Sequence, residues 1–557
     1  MDYKARFPLA FPKLNESQLK TISELAERHT YENGEYLFHS GEIEFKFHVV
    51  ISGKIEIIDR SGLEPKVLLV HDPGEFTGDL ANLSKRSSNA DARALGKVVV
   101  FEICQEELRK IIAERPELSE TILNAMIVRS QALSETDFKG LSLIGSLSNR
   151  DTFRIRNFLS KNRVLFTLID LDHNPEMDTI FTHFGINNNE IPLVANGNVW
   201  FLKNPSLNEL GKKIGLKQDF KTDLYDLIIV GGGPAGLAAA VYGASEGLNT
   251  QVMEALAPGG QAGTSSKIEN YLGFPTGVSG TELAQRAVMQ AEKFGAIMNI
   301  PSEVVKLRLE NQTKILTMDT GEEIRCKALL IATGAEYRKP EIPNWEKFEG
   351  NGVYYAATKM EASLCTQFPV IVIGGGNSAG QAAIFLSNFV PRIYMVVRGK
   401  SLEATMSQYL TKRIDEIYTI EVLLNSEVKE IHGDSRISSV LVRDNKEEEN
   451  RTLQVDSIFS FIGAMPRTDW LDAILQKDSK GFILTGALVE KNDSWTLDRA
   501  PFLLETSVPG IFAAGDVRSN SVKRVASSVG EGSMSVQFIH EYLKDWEFAN
   551  KKESTLS

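Results

Sequence analysis

Two glycine-rich turns, far apart in one chain, restrict this sequence more than any other feature. The first lies in DLIIVGGGPAGLAAAVYGASEGLNTQVMEA, with Gly231, Gly233 and Gly236. The second lies in PVIVIGGGNSAGQAAIFLSN, with Gly374, Gly376 and Gly380. Each follows a short apolar β-type run and opens a helix of small residues. A strand feeding such a turn sets free backbone N–H groups and the positive end of a helix under a pyrophosphate. One such motif is weak evidence. Two of them, separated by about the length of one nucleotide domain, predict two dinucleotides handled together, one carrying electrons for the other. After the first turn, Glu254 ends the next strand, where a carboxylate can accept from ribose hydroxyls.

The 557 residues leave room for roughly three to five domains. Net charge is −12, from 61 basic and 73 acidic residues, which opposes a general role on nucleic acid or anionic membrane. The opening MDYKARFPLAFPKL has no apolar core with a cleavage site, and no run approaches the roughly 20 apolar residues of a membrane span. A cytoplasmic protein is expected. Cys104, Cys326 and Cys365 form no C-x-x-C and stand far apart, so a structural disulfide is not expected. With 8 histidines and no clustered ligands, neither is a metal site.

The chain divides by pattern. Residues 1–137 read as short alternating strands, with turns at Gly53 and at Ser61-Gly62, then helices broken near Pro116. Residues 138–220 read as a β-α-β (LSLIGS, RDTFRIRNFLSKN, VLFTLIDLD), a helix over EMDTIFTHFG, a strand pair around IPLVANGNVWF and a closing helix in SLNELGKKIG. From 221 a first nucleotide unit (221–340) is interrupted by a second (341–464) and completed by 465–557.

The rear half resembles the low-molecular-weight thioredoxin reductases, through APGGQAGTSSKIENYLGFP, ALLIATGAEYRKP, IFAAGDV and KRVASSVGEGS as well as both glycine turns. The resemblance implies two nested Rossmann-type α/β domains, an FAD site and an NADPH site. It implies that Gly259, Gly260 and Gln261 line the ribityl and pyrophosphate, that Asn270 faces the isoalloxazine, and that Thr333 and Gly334 belong to the Ala-Thr-Gly stretch. It further implies that Gly515 and Asp516 approach the ribityl chain and that Lys523, Arg524 and Val525 lie near the pyrimidine edge. Arg524 replaces the family's Gln. It either stabilises an anionic reduced flavin or makes an outward salt bridge. At the second site the resemblance assigns Gly374, Gly376, Asn377 and Ser378 to the pyrophosphate and Arg398, with Lys400 beside it, to a 2′-phosphate. Gly399 and Glu403 depart from the family's basic run, so NADPH leads, NADH follows, and reduction by a protein electron donor is the third alternative.

The family's redox Cys-x-x-Cys is missing. Its cysteine positions hold Ala356 and Lys359, and its acid position holds Met360. None can attack or form a disulfide, so no covalent catalyst is expected and the acceptor is a non-dithiol one. Tyr354 and Tyr355 either stack near the flavin or fill a domain interface.

The front is similar to a β-barrel cyclic-nucleotide-binding domain through PGEFTGDLANLSKRSSNADARAL. There Gly78 and Leu80 keep the pattern, Asp79 stands for Glu, and the phosphate Arg falls on Ser88, with Arg86 two residues away. Either a cyclic nucleotide binds there or the module only regulates or dimerises. Residues 138–220 resemble a thioredoxin or glutaredoxin fold, with Ile191-Pro192 at its cis-proline place and no cysteine near Ser146–Asn149; a plain α/β spacer is the alternative. The whole predicts a homodimeric FAD-dependent NAD(P)H oxidoreductase with an unassigned acceptor. Two alternatives stay open: a flavin-binding sensor without turnover, and a thioredoxin-disulfide reductase using an atypical route.

Overall fold

Alternating apolar residues from Glu27 onward close a small antiparallel barrel: β1 (Glu27–Tyr31), β2 (Tyr36–Phe38), β3 (Phe47–Asp59), β4 (Lys66–His71) and β5 (Asp91–Ile103), in the order β1-β5-β3-β4 with β2 also on β5. The computed structural model describes residues 3–61, 65–79, 81–84, 86–134, 140–147, 149–172, 190–197, 199–220, 222–265, 268, 270–349, 351–355, 357, 359–363, 365, 367–471, 474–490, 495 and 497–556. Gly53 does not make the expected hairpin. It has φ +81 inside the continuous β3, where the register with β5 shifts on both sides of Ser52. The extra residue bulges one long strand, which bends around the barrel rather than reversing. Helices α1 (Gln105–Glu114) and α2 (Pro116–Ser134) follow, broken at Pro116 as expected. Phe47, Phe76, Ile103, Leu108 and Ile122 form their common core.

The middle module is a four-stranded sheet built from β6 (Leu141–Gly145), β7 (Phe166–Asp170), β8 (Leu193–Asn196) and β9 (Trp200–Lys203), in the order β7-β6-β8-β9. Helix α3 (Arg150–Lys161) makes the crossover between the parallel β6 and β7, and α4 (Leu207–Lys213) closes the module. Asn149 caps α3 by accepting from Asp151 and Thr152 N–H, and Ser206 and Glu209 form a capping box on α4. The Ile191–Pro192 peptide is cis. The helix expected over 176–185 lies outside the described residues.

This module packs against the rear half. Leu143, Phe158 and Leu210 share one buried cluster with Leu227, Leu330 and Phe512 of the rear half. A Cβ on Gly211 would lie 2.5 Å from Pro301 Cδ, so α4 rests directly on the rear half.

The rear half holds two parallel-cored sheets. The first is built from β10 (Tyr225–Val230), β11 (Thr250–Met253), β12 (Ile297–Asn299), β13 (Val304–Glu310), β14 (Thr313–Met318) and β15 (Glu323–Ile331). It runs β12-β11-β10-β15-β14-β13, with β26 (Ile511–Ala513) also on β15. The second is built from β17 (Val353–Tyr354), β18 (Val370–Ile373), β19 (Ile393–Val396), β20 (Ile420–Leu423) and β24 (Ser457–Ser460), in the order β17-β24-β18-β19-β20. A three-stranded meander, β21 (Ser426–Gly433), β22 (Ile437–Asp444) and β23 (Asn450–Leu453), belongs to the same unit. The two-stranded ladder β16 (Ala335–Tyr337) with β25 (Ala464–Pro466) joins the units where the chain leaves the first and returns. Among the described residues no helix is long and apolar enough to cross a membrane.

Candidate active site

Strand β10 ends at Val230 and the backbone turns at Gly231, φ +106. A Cβ there would sit 2.3 Å from the Ala332 carbonyl oxygen, so no larger residue fits. Gly233 is the N-cap of α5 (Pro234–Ser245), with proline at its first position, leaving the first-turn N–H groups free for an anion. A Cβ on Gly236 would meet the Gly231 carbonyl oxygen at 1.9 Å; glycine therefore lets the helix press onto the turn. Glu254 follows β11. One carboxylate oxygen accepts from Gly232 N–H at 2.7 Å, the other from Leu256 and Ala257 N–H at 3.0 and 3.2 Å. Burial raises its pKa and the three N–H groups oppose that rise.

These residues open on a cavity of about 1770 Å³. Gly231, Gly233 and Glu254 line it together with Gly260 and Gln261, and a Cβ on Gly260 would lie 3.2 Å from Gly233 Cα. Asn270, Thr333 and Gly334 line it further along, as do Gly515, Asp516, Lys523, Arg524 and Val525. Gly236 and Gly259 stand behind the lining. Gln261 Nε2 donates to the Ala335 carbonyl and Thr333 Oγ1 to that of Arg467. The Asp516 carboxylate accepts no hydrogen bond among the described residues, and burial raises its pKa against the field of Lys523. Gly515, φ +78, brings this segment close to α5: a Cβ on it would lie 3.1 Å from Ala235 Cβ. Arg524 is exposed to the cavity and makes no ion pair among the described residues.

A flavin dinucleotide fits this donor set. A glycine turn and helix N-terminus can take a pyrophosphate, a buried carboxylate can accept from a ribose, and Asp516, unpartnered among the described residues, can accept from a polyol hydroxyl.

In the second unit Gly374 has φ +133, and its Cβ would lie 2.5 Å from the Phe461 carbonyl oxygen. Gly376 is the N-cap of α7 (Asn377–Leu386), α6 being Gly280–Lys293 in the first unit. Asn377 Oδ1 accepts from Ser407 N–H at 2.7 Å, and Thr405 Oγ1 donates to the Gly375 carbonyl at 2.7 Å. Asn377 and Ser378 line the same cavity as the first turn, so both nucleotide loops face one space. Arg398 and Lys400 do not line it. They stand exposed after β19, with Glu403 also exposed nearby.

No thiol lines this cavity among the described residues. Cys104, Cys326 and Cys365 are all free. Burial pushes the Cys326 and Cys365 thiols up to about 12, and Cys365 Sγ donates to the Glu361 carbonyl. Ala356 lies outside the described residues; Lys359 starts a short helix, Lys359–Ala362, and its side chain is not described. Tyr354 packs on Phe459 with centroids 5.4 Å apart, and Tyr355 accepts from Trp345 Nε1 at 2.7 Å. Both tyrosines fill cores of the second unit.

Sequence reasoning missed the seam beside this segment. Glu361 is buried and lines the cavity. The fields of Arg156 and Lys161, both on α3 of the middle module, reach it. An amphipathic basic helix gives no sign of which unit it will cover.

At the front, Gly78 has φ +96 and a Cβ there would meet Asn82 Oδ1 at 2.5 Å. Asp79 accepts from Ala81 N–H and Asn89 Nδ2, and burial raises its pKa. Leu80 lies outside the described residues. Ser88 is buried with its hydroxyl donated to the Ala90 carbonyl. Asp79, Arg86 and Ser88 line the same cavity. Arg129 of α2, also missed, donates to the carbonyls of Ala10, Phe76 and Gly78.

A family model described as pyridine nucleotide-disulphide oxidoreductase matches residues 225–532, and one described as cyclic nucleotide-binding domain matches residues 28–115. Thioredoxin reductase of Treponema pallidum (strain Nichols) is 37% identical over 320 residues, 57% of this chain and 97% of that protein. Thioredoxin reductase of Bacillus subtilis (strain 168) is 31% identical over 323 residues, 58% of this chain and 96% of that protein. The crystal structure of Lactococcus lactis thioredoxin reductase (FR conformation) matches with TM-score 0.52 and 30% identity, over 58% of this chain and 99% of that one.

Proposed function

The chain belongs to the pyridine nucleotide-disulphide oxidoreductase family, and from that premise we propose that it moves electrons from NADPH to an acceptor other than a dithiol-linked disulfide. It is an FAD-dependent NAD(P)H oxidoreductase without the family's Cys-x-x-Cys. The observation that carries the acceptor reading is the shared cavity, faced by both glycine turns and lined by no thiol among the described residues. Bound FAD supplies the two-electron relay between nicotinamide and acceptor. The residues of the chain bind and orient. Gly231, Gly233 and the first turn of α5 hold a pyrophosphate; Glu254 holds a ribose; Asp516 accepts from a ribityl hydroxyl; Arg524 lends positive charge at the flavin's edge. Gly374, Gly376, Asn377 and Ser378 hold the second pyrophosphate, and Arg398 with Lys400 prefers a 2′-phosphate.

In this reading the units are 1–137, 138–220, 221–340, 341–464 and 465–557. The middle one is a thioredoxin-like module that docks rather than exchanges thiols. The front one takes a cyclic nucleotide, Arg86 serving its phosphate in place of Ser88. The protein acts in the cytoplasm as a homodimer. Anaerobic mixing with NADPH and, separately, NADH tests the core of it. Rapid bleaching of the flavin band, faster with NADPH, is expected; slow or absent bleaching with both nucleotides makes it a sensor instead.

A further inference from the structure

One cation in the cavity is left without a partner by the assignments above. Lys161 ends α3, lines the cavity, and makes no hydrogen bond or ion pair within 4.0 Å among the described residues. Its position is held firmly. The next residue, Asn162, donates through Nδ2 to the Phe158 carbonyl of its own helix at 2.9 Å and to the Leu256 carbonyl of the flavin unit at 2.8 Å. Arg163 bonds to Gln285 of α6. At its other end α3 sets Phe153 against the core of the second nucleotide unit. The helix thus bridges both nucleotide units, and Lys161 lines the cavity that both of them face.

Lys161 is largely withdrawn from water, which lowers its pKa, while Glu361 and Glu254 act in the opposite sense. A desolvated cation is costly unless an anion joins it. Neither carboxylate is within 4.0 Å, and Glu254 is already engaged with three backbone N–H groups. One of those N–H groups belongs to Gly232, beside the turn that opens α5. A phosphate lying over that turn would supply the missing anion.

We propose that Lys161, supplied by the middle module, is a binding residue for the FAD pyrophosphate seated over Gly233. This rests on the flavin reading above. The cysteine-less module thereby completes the cofactor site of another unit.

The test uses the full chain stripped of flavin, titrated with FAD by fluorescence quenching, with NADP⁺ titrated separately onto the flavin-loaded protein. Lys161→Gln should weaken FAD roughly ten- to a hundredfold, the usual loss for one charge-assisted hydrogen bond. Lys161→Arg should recover most of that loss. Arg154→Gln removes the same charge from the same helix but outside the cavity lining, and should leave FAD affinity unchanged. Far-UV circular dichroism reports whether each variant folds; if Lys161→Gln does not, the Arg variant and the Arg154 control still decide. Equal FAD affinity in wild type and Lys161→Gln overturns the proposal. So does a Lys161→Gln chain that keeps FAD but loses NADP⁺, or an Arg154→Gln chain that loses FAD equally. A wild-type chain that takes up no FAD fails the flavin reading itself.

Discussion

Replacing Glu292 by glutamine should tighten the seam between front barrel and flavin unit at neutral pH, and not at acidic pH. Glu292 lies in the last turn of α6 and is only 7% exposed. That helix packs on Ala81–Ser84 and on α1, and the fields of Arg86 and Arg109 reach its carboxylate from the front barrel. Arg109 itself is held by donating to the Leu83 carbonyl. Burial pushes the Glu292 carboxyl up to about 6 from 4.5, outweighing both arginines. The native chain then holds the proton more tightly than the unfolded one. Stability falls as pH rises from about 4.5 through about 6, and above that the full cost stands, about 2 kcal/mol. Glutamine cannot ionise, so the variant should gain about 2 kcal/mol over wild type between pH 4.5 and roughly pH 7.5. A multidomain chain does not unfold in two states, so the reading is local: hydrogen exchange of α6 amides across that pH range, in both proteins. Parallel profiles would refute the argument. A seam looser in the variant at neutral pH would mean that attraction to Arg86 and Arg109 exceeds the burial cost.

Gly236→Ala should lose flavin and 1 to 3 kcal/mol of stability, about the usual range for overpacking, because its Cβ would meet a backbone oxygen that cannot rotate away; FAD content and thermal unfolding check it. A chain with Cys104, Cys326 and Cys365 all changed to serine should retain NADPH-dependent flavin reduction and turnover; loss of turnover with flavin retained would return a thiol to the mechanism. Lys314, buried and bonded to Tyr542 at 2.6 Å, has its pKa lowered by burial to about 7. The native state sheds that proton first, so stability should rise with pH from about 7 toward 10.5, and Lys314→Met should flatten that rise in a pH series of unfolding midpoints.

The two glycine turns were legible because positive φ and close backbone approach admit almost no other residue, as Gly231 against Ala332 and Gly374 against Phe461 make plain. Pro116 announced a helix break by the same logic of restricted backbone. Gly53 was misread because a glycine at positive φ serves a bulge and a turn equally, and only pairing with β5 distinguishes them. The charged seam left no local trace. Arg156, Lys161 and Glu361 are far apart in sequence and look like ordinary surface charges; their meaning comes from which module lies on which. Arg129 is similar: a lone arginine in an apolar helix reads as solvent-facing until three carbonyls close on it.

That seam also bears on the acceptor. The segment carrying Ala356 and Lys359 lacks the family's thiols, and its described neighbours Ala357, Glu361 and Ala362 are buried. Phe153 of α3 packs into the same unit's core, and the fields of Arg156 and Lys161 reach Glu361. A protein acceptor docking on this face would have to lift α3. Lifting it would break the Asn162–Leu256 contact and expose part of a cluster shared by the middle module and the flavin unit. Each core Leu or Phe uncovered costs roughly 1.5 to 3 kcal/mol, so a few of them exceed what a transient encounter returns. The path that remains is the cavity itself, which is wide enough for both nucleotide loops to face it. A small diffusible acceptor such as a quinone should therefore be reduced at steady state, and its rate should be unaffected by added thioredoxin-sized disulfide proteins. Saturable competition by such a protein would mean that α3 yields after all.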